Sequence, residues 1–194
     1  MLAWCTKDEA ILYGLSVSGL VIRTPDVADF YLQAFDLHPD EFVTYKILRM
    51  RGDILSKGQL QLLGLRTNTK ISRQFYETLN DEGLSDPFDA AVNIAINIAN
   101  AIHSRRDVHK LLSVFGPEQA LRALPSNMAA GPCVDATRLS NIRVRAKEAP
   151  LFPLQTCNKG GQCACMWTLD DPISDQIALG SSTNTPLPQL GHPL

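Results

Sequence analysis

A long helix with clear ends is the feature that most constrains the fold of this chain. In the segment "SDPFDAAVNIAINIANAIHSRRDVHKLLSVFG", Asp86 is placed to cap the helix, Pro87 takes its first turn and Gly116 is a stop signal. Residues 88–102 are apolar at nearly every position outside one narrow stripe. A helix with so little polar surface is buried on most sides. We therefore expect it to lie in the core of a mainly α-helical domain or in an oligomer interface.

The polar residues of this helix recur at steps of three and four, so they form a single stripe along it. The stripe consists of Asp89, Asn93, Asn97, Asn100, Ser104 and Asp107. Because the other faces are apolar, we expect the stripe to meet water or a loosely packed interface.

The prolines divide the chain, since nine of the twelve lie at residue 117 or later. Proline interrupts long regular elements, so long helices are expected only in the earlier part. Helices are predicted at residues 26–35, with Thr24 as N-cap, and at 41–50, 57–63 and 69–80. A last short helix is predicted in "PEQALRAL", and residues 139–146 alternate between apolar and polar side chains as a strand does.

Together these patterns predict a mainly α fold in three parts. A helical domain is expected at residues 8–124. A small cysteine-stabilised β/loop module, of the zinc-ribbon or zinc-knuckle type, is expected at residues 130–168. Residues 169–194 contain no Lys or Arg and a "SSTNTPLPQ" run, which predicts a flexible tail.

Four of the five cysteines lie in the last third of the chain, at Cys133, Cys157, Cys163 and Cys165. The last two form a C-x-C pair, and a Gly-Gly pair before them lets the backbone turn back. Four thiolates make a closed tetrahedral zinc site of the structural type. The spacing leaves three alternatives open: a C-x-C disulfide, unrelated buried thiols, or a site that has degenerated from a metal-binding ancestor.

The pattern "GPC…APLFPL…C…GGQCAC.W" in residues 131–167 resembles the C-terminal cysteine module of phage head-morphogenesis proteins of the minor-head type. The matching positions are the four cysteines and the proline-flanked "APLFPL". The chain departs from that module at Ala136, where the family has its second cysteine. The resemblance implies an assembly or virion-associated role without catalysis.

Composition and charge exclude several classes of protein. The net charge of −2 and pI near 6.1 create no overall field that would attract nucleic acid or an anionic membrane. The sequence contains no run of eighteen apolar residues, so no membrane span is predicted. The apolar stretch at residues 10–22 lacks the basic residues with which a signal peptide begins. The odd cysteine number argues against a secreted disulfide scaffold, so we expect a cytoplasmic protein, or one found in a virion.

These observations favour a non-catalytic assembly or protein-interaction factor with a structural zinc site made of four cysteines. Its expected partners are other proteins, either further copies of the chain or virion components. No set of residues meets the demands of an active site, so we expect no enzyme. The alternative is a DNA-binding regulator that uses a helix-turn-helix at residues 56–80, with Arg66, Lys70 and Gln74 among its groove-facing side chains.

Overall fold

A computed structural model describes residues 2–37, 43–125, 133–157, 163 and 165–170 of the chain. These residues form a mainly helical fold with one small antiparallel sheet. The helices are α1 (Lys7–Ser18), α2 (Pro25–Asp36), α3 (Tyr45–Met50), α4 (Lys57–Leu62), α5 (Arg73–Thr78), α6 (Asp81–Ser85), α7 (Pro87–Phe115) and α8 (Val134–Ser140). The strands are β1 (Ala120–Leu124), β2 (Val144–Arg145) and β3 (Met166–Leu169), in the order β2-β1-β3.

The long helix α7 begins and ends where the sequence predicts. The Asp86 carboxylate accepts hydrogen bonds from the backbone N–H groups of Phe88 and Asp89, at 3.1 and 3.0 Å, and so caps the first turn. Gly116 follows the last turn with a φ of 85°, and its N–H donates to the carbonyl of Leu112. Seven of the eleven apolar residues at positions 88–102 are buried, which confirms a core helix.

Helix α1 packs against the middle of α7 with its backbone unusually close. Gly14 makes this approach possible, because a Cβ atom at that position would lie 2.6 Å from the Cα of Ile98 and 2.7 Å from the carbonyl oxygen of Asn97. A capping box, in which Thr6 and Glu9 exchange hydrogen bonds with each other's backbone, starts α1.

The polar stripe of α7 does not face water throughout, which corrects the expectation from the sequence. Asn97 and Ser104 are buried. The Asn97 amide donates to the carbonyl of Asn93 at 2.9 Å, and the hydroxyl of Ser104 accepts from the backbone N–H of Phe152 at 3.0 Å. These polar side chains are tolerated inside because they bond to backbone groups.

The shorter helices follow the sequence prediction with shifted ends. Helix α2 begins at Pro25, and Thr24 caps it as predicted. Helix α3 begins only at Tyr45, after the predicted start, and residues 41–42 of that prediction lie outside the described part. Helices α4 and α5 occupy the cores of the segments predicted at residues 57–63 and 69–80.

The sheet differs from the prediction in two places. The predicted helix "PEQALRAL" is wrong, because residues 120–124 form the central strand β1, which pairs with β2 and with β3. Its residues favour a helix by propensity, but pairing on both sides and burial of Leu121 and Ala123 decide the outcome. The strand predicted at residues 139–146 is reduced to β2, since α8 continues to Ser140.

The sheet also crosses the predicted boundary between residues 8–124 and 130–168, so that boundary does not divide the structure. Strand β1 lies on one side of it and its partners β2 and β3 on the other. The backbone N–H of Ala3 donates to the carbonyl of Ala149 at 2.7 Å, and the buried residues of both parts form one hydrophobic cluster. Residues 171–194, which hold most of the predicted tail, lie outside the described part.

Within the described ranges, no helix has the length and apolar character needed to cross a lipid bilayer.

We expect Gly14→Ala to destabilise the protein by about 1–3 kcal/mol, because the added methyl group forces α1 away from α7. Gly58→Ala is the matched control, since a Cβ at Gly58 in α4 meets nothing within 4 Å. That change should raise stability by about 0.5–1 kcal/mol. Urea unfolding followed by circular dichroism measures both, and equal effects would show that the helices do not approach so closely.

Candidate metal centre

The four cysteines predicted as metal ligands come from three separate stretches of chain and lie near one another. Cys133 immediately precedes α8, Cys157 follows a turn, and Cys163 and Cys165 lead into β3. All but Cys157, which is half-buried, are buried. All five cysteines lie in the described part and none forms a disulfide, so the C-x-C disulfide is not formed here.

Direct thiol contacts bring the four cysteines together. The Cys163 thiol hydrogen-bonds to the thiols of Cys157 and Cys165, and these contacts together with burial raise the pKa of Cys163. Cys133 forms a side-chain hydrogen bond with Cys157 and lies near Cys165. Burial is the main cause that raises the pKa of Cys133. The fifth cysteine, Cys5, is buried elsewhere, beside Glu9 and Arg105.

The donor set fits zinc in type and number. Thiolate sulfur is a preferred ligand of zinc, and four of them complete a tetrahedral shell. The described side chains of Cys, His, Asp and Glu nevertheless include no group of three or more already arranged to hold a metal ion. The present contacts of the four thiols are therefore not a coordination geometry.

Ala136, which stands where the resembled family has its second cysteine, lies fully buried in α8 beside Cys133. Its backbone N–H faces the Cys133 sulfur and lowers the pKa of that thiol, although it forms no regular capping hydrogen bond. In place of a further ligand, this position contributes a backbone dipole to the sulfur.

Side chains of α1 and α7 hold the cysteine-bearing segment in place. Asn100 of α7 donates to the backbone carbonyl of Cys163. The hydroxyl of Tyr13 donates to the carbonyl of Pro153 at 3.0 Å, and burial raises the pKa of Tyr13 to about 12. The sequence places Asn100 in the polar stripe without indicating its partner, and the available signal is a polar side chain on an otherwise buried face.

An aromatic pair also supports the cysteine-bearing segment. Trp167 in β3 stacks on Phe152, with ring centroids 5.1 Å apart and an angle of 29° between the rings. The indole N–H of Trp167 donates to the carbonyl of Pro150 at 2.9 Å. Both rings are buried, so the segment that carries the cysteines has apolar support of its own.

Residues 56–80 do not form a helix-turn-helix. Helices α4 and α5 are joined by residues 63–72, whereas the motif needs a turn of about three or four residues. Arg66 and Lys70 lie in this connection and not on a recognition helix. Gln74, also predicted to face a DNA groove, exchanges hydrogen bonds with Asp53.

Comparisons with family models, with curated proteins and with solved structures give no match for this chain. The likeness of residues 131–167 to the phage module therefore depends on the cysteines and the "APLFPL" stretch alone.

We expect Ser104→Ala to cost about 1–3 kcal/mol, because it leaves the buried N–H of Phe152 without its acceptor. Ser113→Ala on the same helix is the control, since its exposed hydroxyl only donates to the carbonyl of Lys110. That change should stay within about 0.5 kcal/mol. Urea denaturation gives both values, and a neutral Ser104→Ala would mean that α7 does not hold the cysteine-bearing segment through this bond.

Proposed function

We propose that the chain is a non-catalytic assembly or protein-interaction factor in which one zinc ion, bound by Cys133, Cys157, Cys163 and Cys165, holds the C-terminal segment in shape. The observation that carries this proposal is the meeting of four thiols from three stretches of chain. Four sulfur ligands close the coordination shell and leave no position for water or substrate, which is the structural and not the catalytic type of zinc site.

The need for a cross-link supports the same proposal. The described residues between α7 and β3 contain only short elements, of two to seven residues. Such segments contribute little stability by secondary structure alone, and a bound metal ion is a common way to stabilise them. When bound, zinc would supply that cross-link between α8, the turn at Cys157 and the start of β3.

The surface beside the cysteines supports association with protein. Among the described strands, β3 lies at an edge of the sheet, and edge strands are templates for pairing with another chain. Leu124 and Met166 pair across β1 and β3, and both are substantially exposed. Met166 is thus an exposed apolar residue on the edge strand, and such a residue suits a partner that adds to the sheet. The partner we propose is a further copy of the chain, and the phage resemblance extends the proposal to virion components.

The zinc part of the proposal predicts about one zinc ion per chain in protein purified without chelator. Cys157→Ser and Cys163→Ser should each abolish stoichiometric zinc, because each removes one of four ligands. Cys5→Ala should retain it, since Cys5 lies outside the cluster. Elemental analysis by mass spectrometry gives the zinc content of all four proteins.

Zinc removal should also lower the melting temperature of the helices by roughly 6–12 °C, the equivalent of a cross-link that contributes about 3 kcal/mol. The helices should respond because the buried residues of both parts form one cluster.

Wild-type protein with far less than one zinc per chain, or equal zinc content in Cys5→Ala and Cys163→Ser, would refute the site.

The association part predicts that the zinc-loaded protein sediments as a dimer or a larger assembly. Met166→Lys should shift it to monomer, because a charge on the edge strand opposes pairing. Leu62→Lys is the control: Leu62 is the most exposed of the large apolar residues in the described part but lies on α4, away from the sheet. Sedimentation velocity that finds the same state for wild type and Met166→Lys would contradict association through β3.

A further inference from the structure

A cavity of about 660 Å³ opens between α3, the connection at residues 63–72 and the start of α7. Its wall includes three basic residues, Arg49, Arg66 and Lys70, and one acidic residue, Asp86. Three positive charges less one negative charge leave two positive charges on this wall, in a chain whose net charge is −2. The excess is therefore local and does not follow from overall composition.

No carboxylate in the described part of the chain forms an ion pair with any of these three basic residues. The Asp86 carboxylate lies in the wall but accepts from the backbone N–H groups that begin α7. Cationic groups that face a shared cavity without a carboxylate partner among the described residues create a positive potential there, which favours the binding of an anion.

Aromatic contacts fix the position of Arg49. Its guanidinium carbon lies 4.6 Å from the centre of the Phe88 ring, and Phe88 packs edge-on against Tyr45. The Nε atom of Arg49 is buried and has no hydrogen-bond acceptor among the described residues. Half-burial of an arginine without a carboxylate costs free energy, which a bound anion would offset.

The connection that carries Arg66 and Lys70 is held by backbone bonds at both ends. The N–H of Leu65 donates to the carbonyl of Leu60, and the N–H of Ser72 donates to the carbonyl of Arg49, both at 2.8 Å. Between them, the N–H of Thr69 donates to the carbonyl of Arg66 at 3.0 Å. The backbone that carries the two exposed basic side chains is therefore already ordered, so less backbone entropy is lost when a ligand binds.

We propose that this cavity binds a phosphate monoester of a small organic molecule. A phosphate monoester carries about two negative charges at neutral pH, which matches the net charge of the wall. Arginine and lysine are the side chains that proteins use most for phosphate. The volume exceeds that of a phosphate ion and falls in the range of small-ligand pockets, and the ring of Phe88 adds an apolar wall for the organic part.

A small ligand fits this cavity better than a nucleic acid strand. A strand requires basic side chains spaced along a track, so that successive phosphates are neutralised. Here the three basic residues surround a single concavity, with Asp86 in the same wall.

Isothermal titration calorimetry at low ionic strength tests the proposal with three ligands: adenosine 5′-monophosphate, adenosine and inorganic phosphate. The monophosphate should bind saturably, inorganic phosphate more weakly, and adenosine not measurably. Arg66→Gln and Lys70→Gln should each weaken the monophosphate about tenfold, the effect of one charge-assisted hydrogen bond. Both residues are exposed, so neither change should disturb folding, which circular dichroism verifies.

Lys110→Gln is the matched control, because Lys110 is exposed on α7 away from the cavity, and it should leave the affinity unchanged. Three results would overturn the proposal. They are the absence of saturable binding by the monophosphate, equal weakening by Lys110→Gln and Lys70→Gln, and tighter binding of a short oligonucleotide that lacks a terminal phosphate but depends on Arg66 and Lys70. The last result would make the cavity part of a nucleic-acid surface.

Discussion

The close approach of α1 to α7 positions most of what surrounds the cysteines. At Gly14 the backbone of α1 contacts the backbone of α7 at Ile98, because Gly14 has no side chain to keep the two apart. That contact positions the neighbouring Tyr13 so that its hydroxyl donates to the carbonyl of Pro153. From the other helix, Asn100 reaches the backbone of Cys163. A wider separation of the two helices would pull these two anchors apart, and the cysteine-bearing segment would lose its support on both sides.

The elements that could be predicted from the sequence are those fixed by local interactions. The cap at Asp86 and the stop at Gly116 act within one turn of helix, and both ends of α7 follow from them. Strand β1 could not be predicted, because its residues form a strand only through partners more than twenty residues later in the chain. Local propensity favoured a helix there, and the tertiary partners decided otherwise.

The candidate site likewise has residues that could be predicted from the sequence and residues that could not. The number and clustering of cysteines indicated which residues would meet, and the structure brings those four together. The sequence did not identify the partners of the supporting side chains, because the contact from Tyr13 spans 140 positions and that from Asn100 spans 63. The cavity at Arg49 was likewise missed, since its basic residues come from α3 and from a connection that had been interpreted as part of a DNA-binding motif.

Three hydrogen bonds that α7 makes to other described segments share one chemical feature. Asn100 and Arg105 donate to the main-chain carbonyls of Cys163 and Cys5, and Ser104 accepts from the main-chain N–H of Phe152. A bond to the main chain does not depend on the side chain that the partner position carries. The side chains that these bonds require therefore all belong to α7. These three bonds by themselves therefore ask of the partner segments only that their backbones keep the same path.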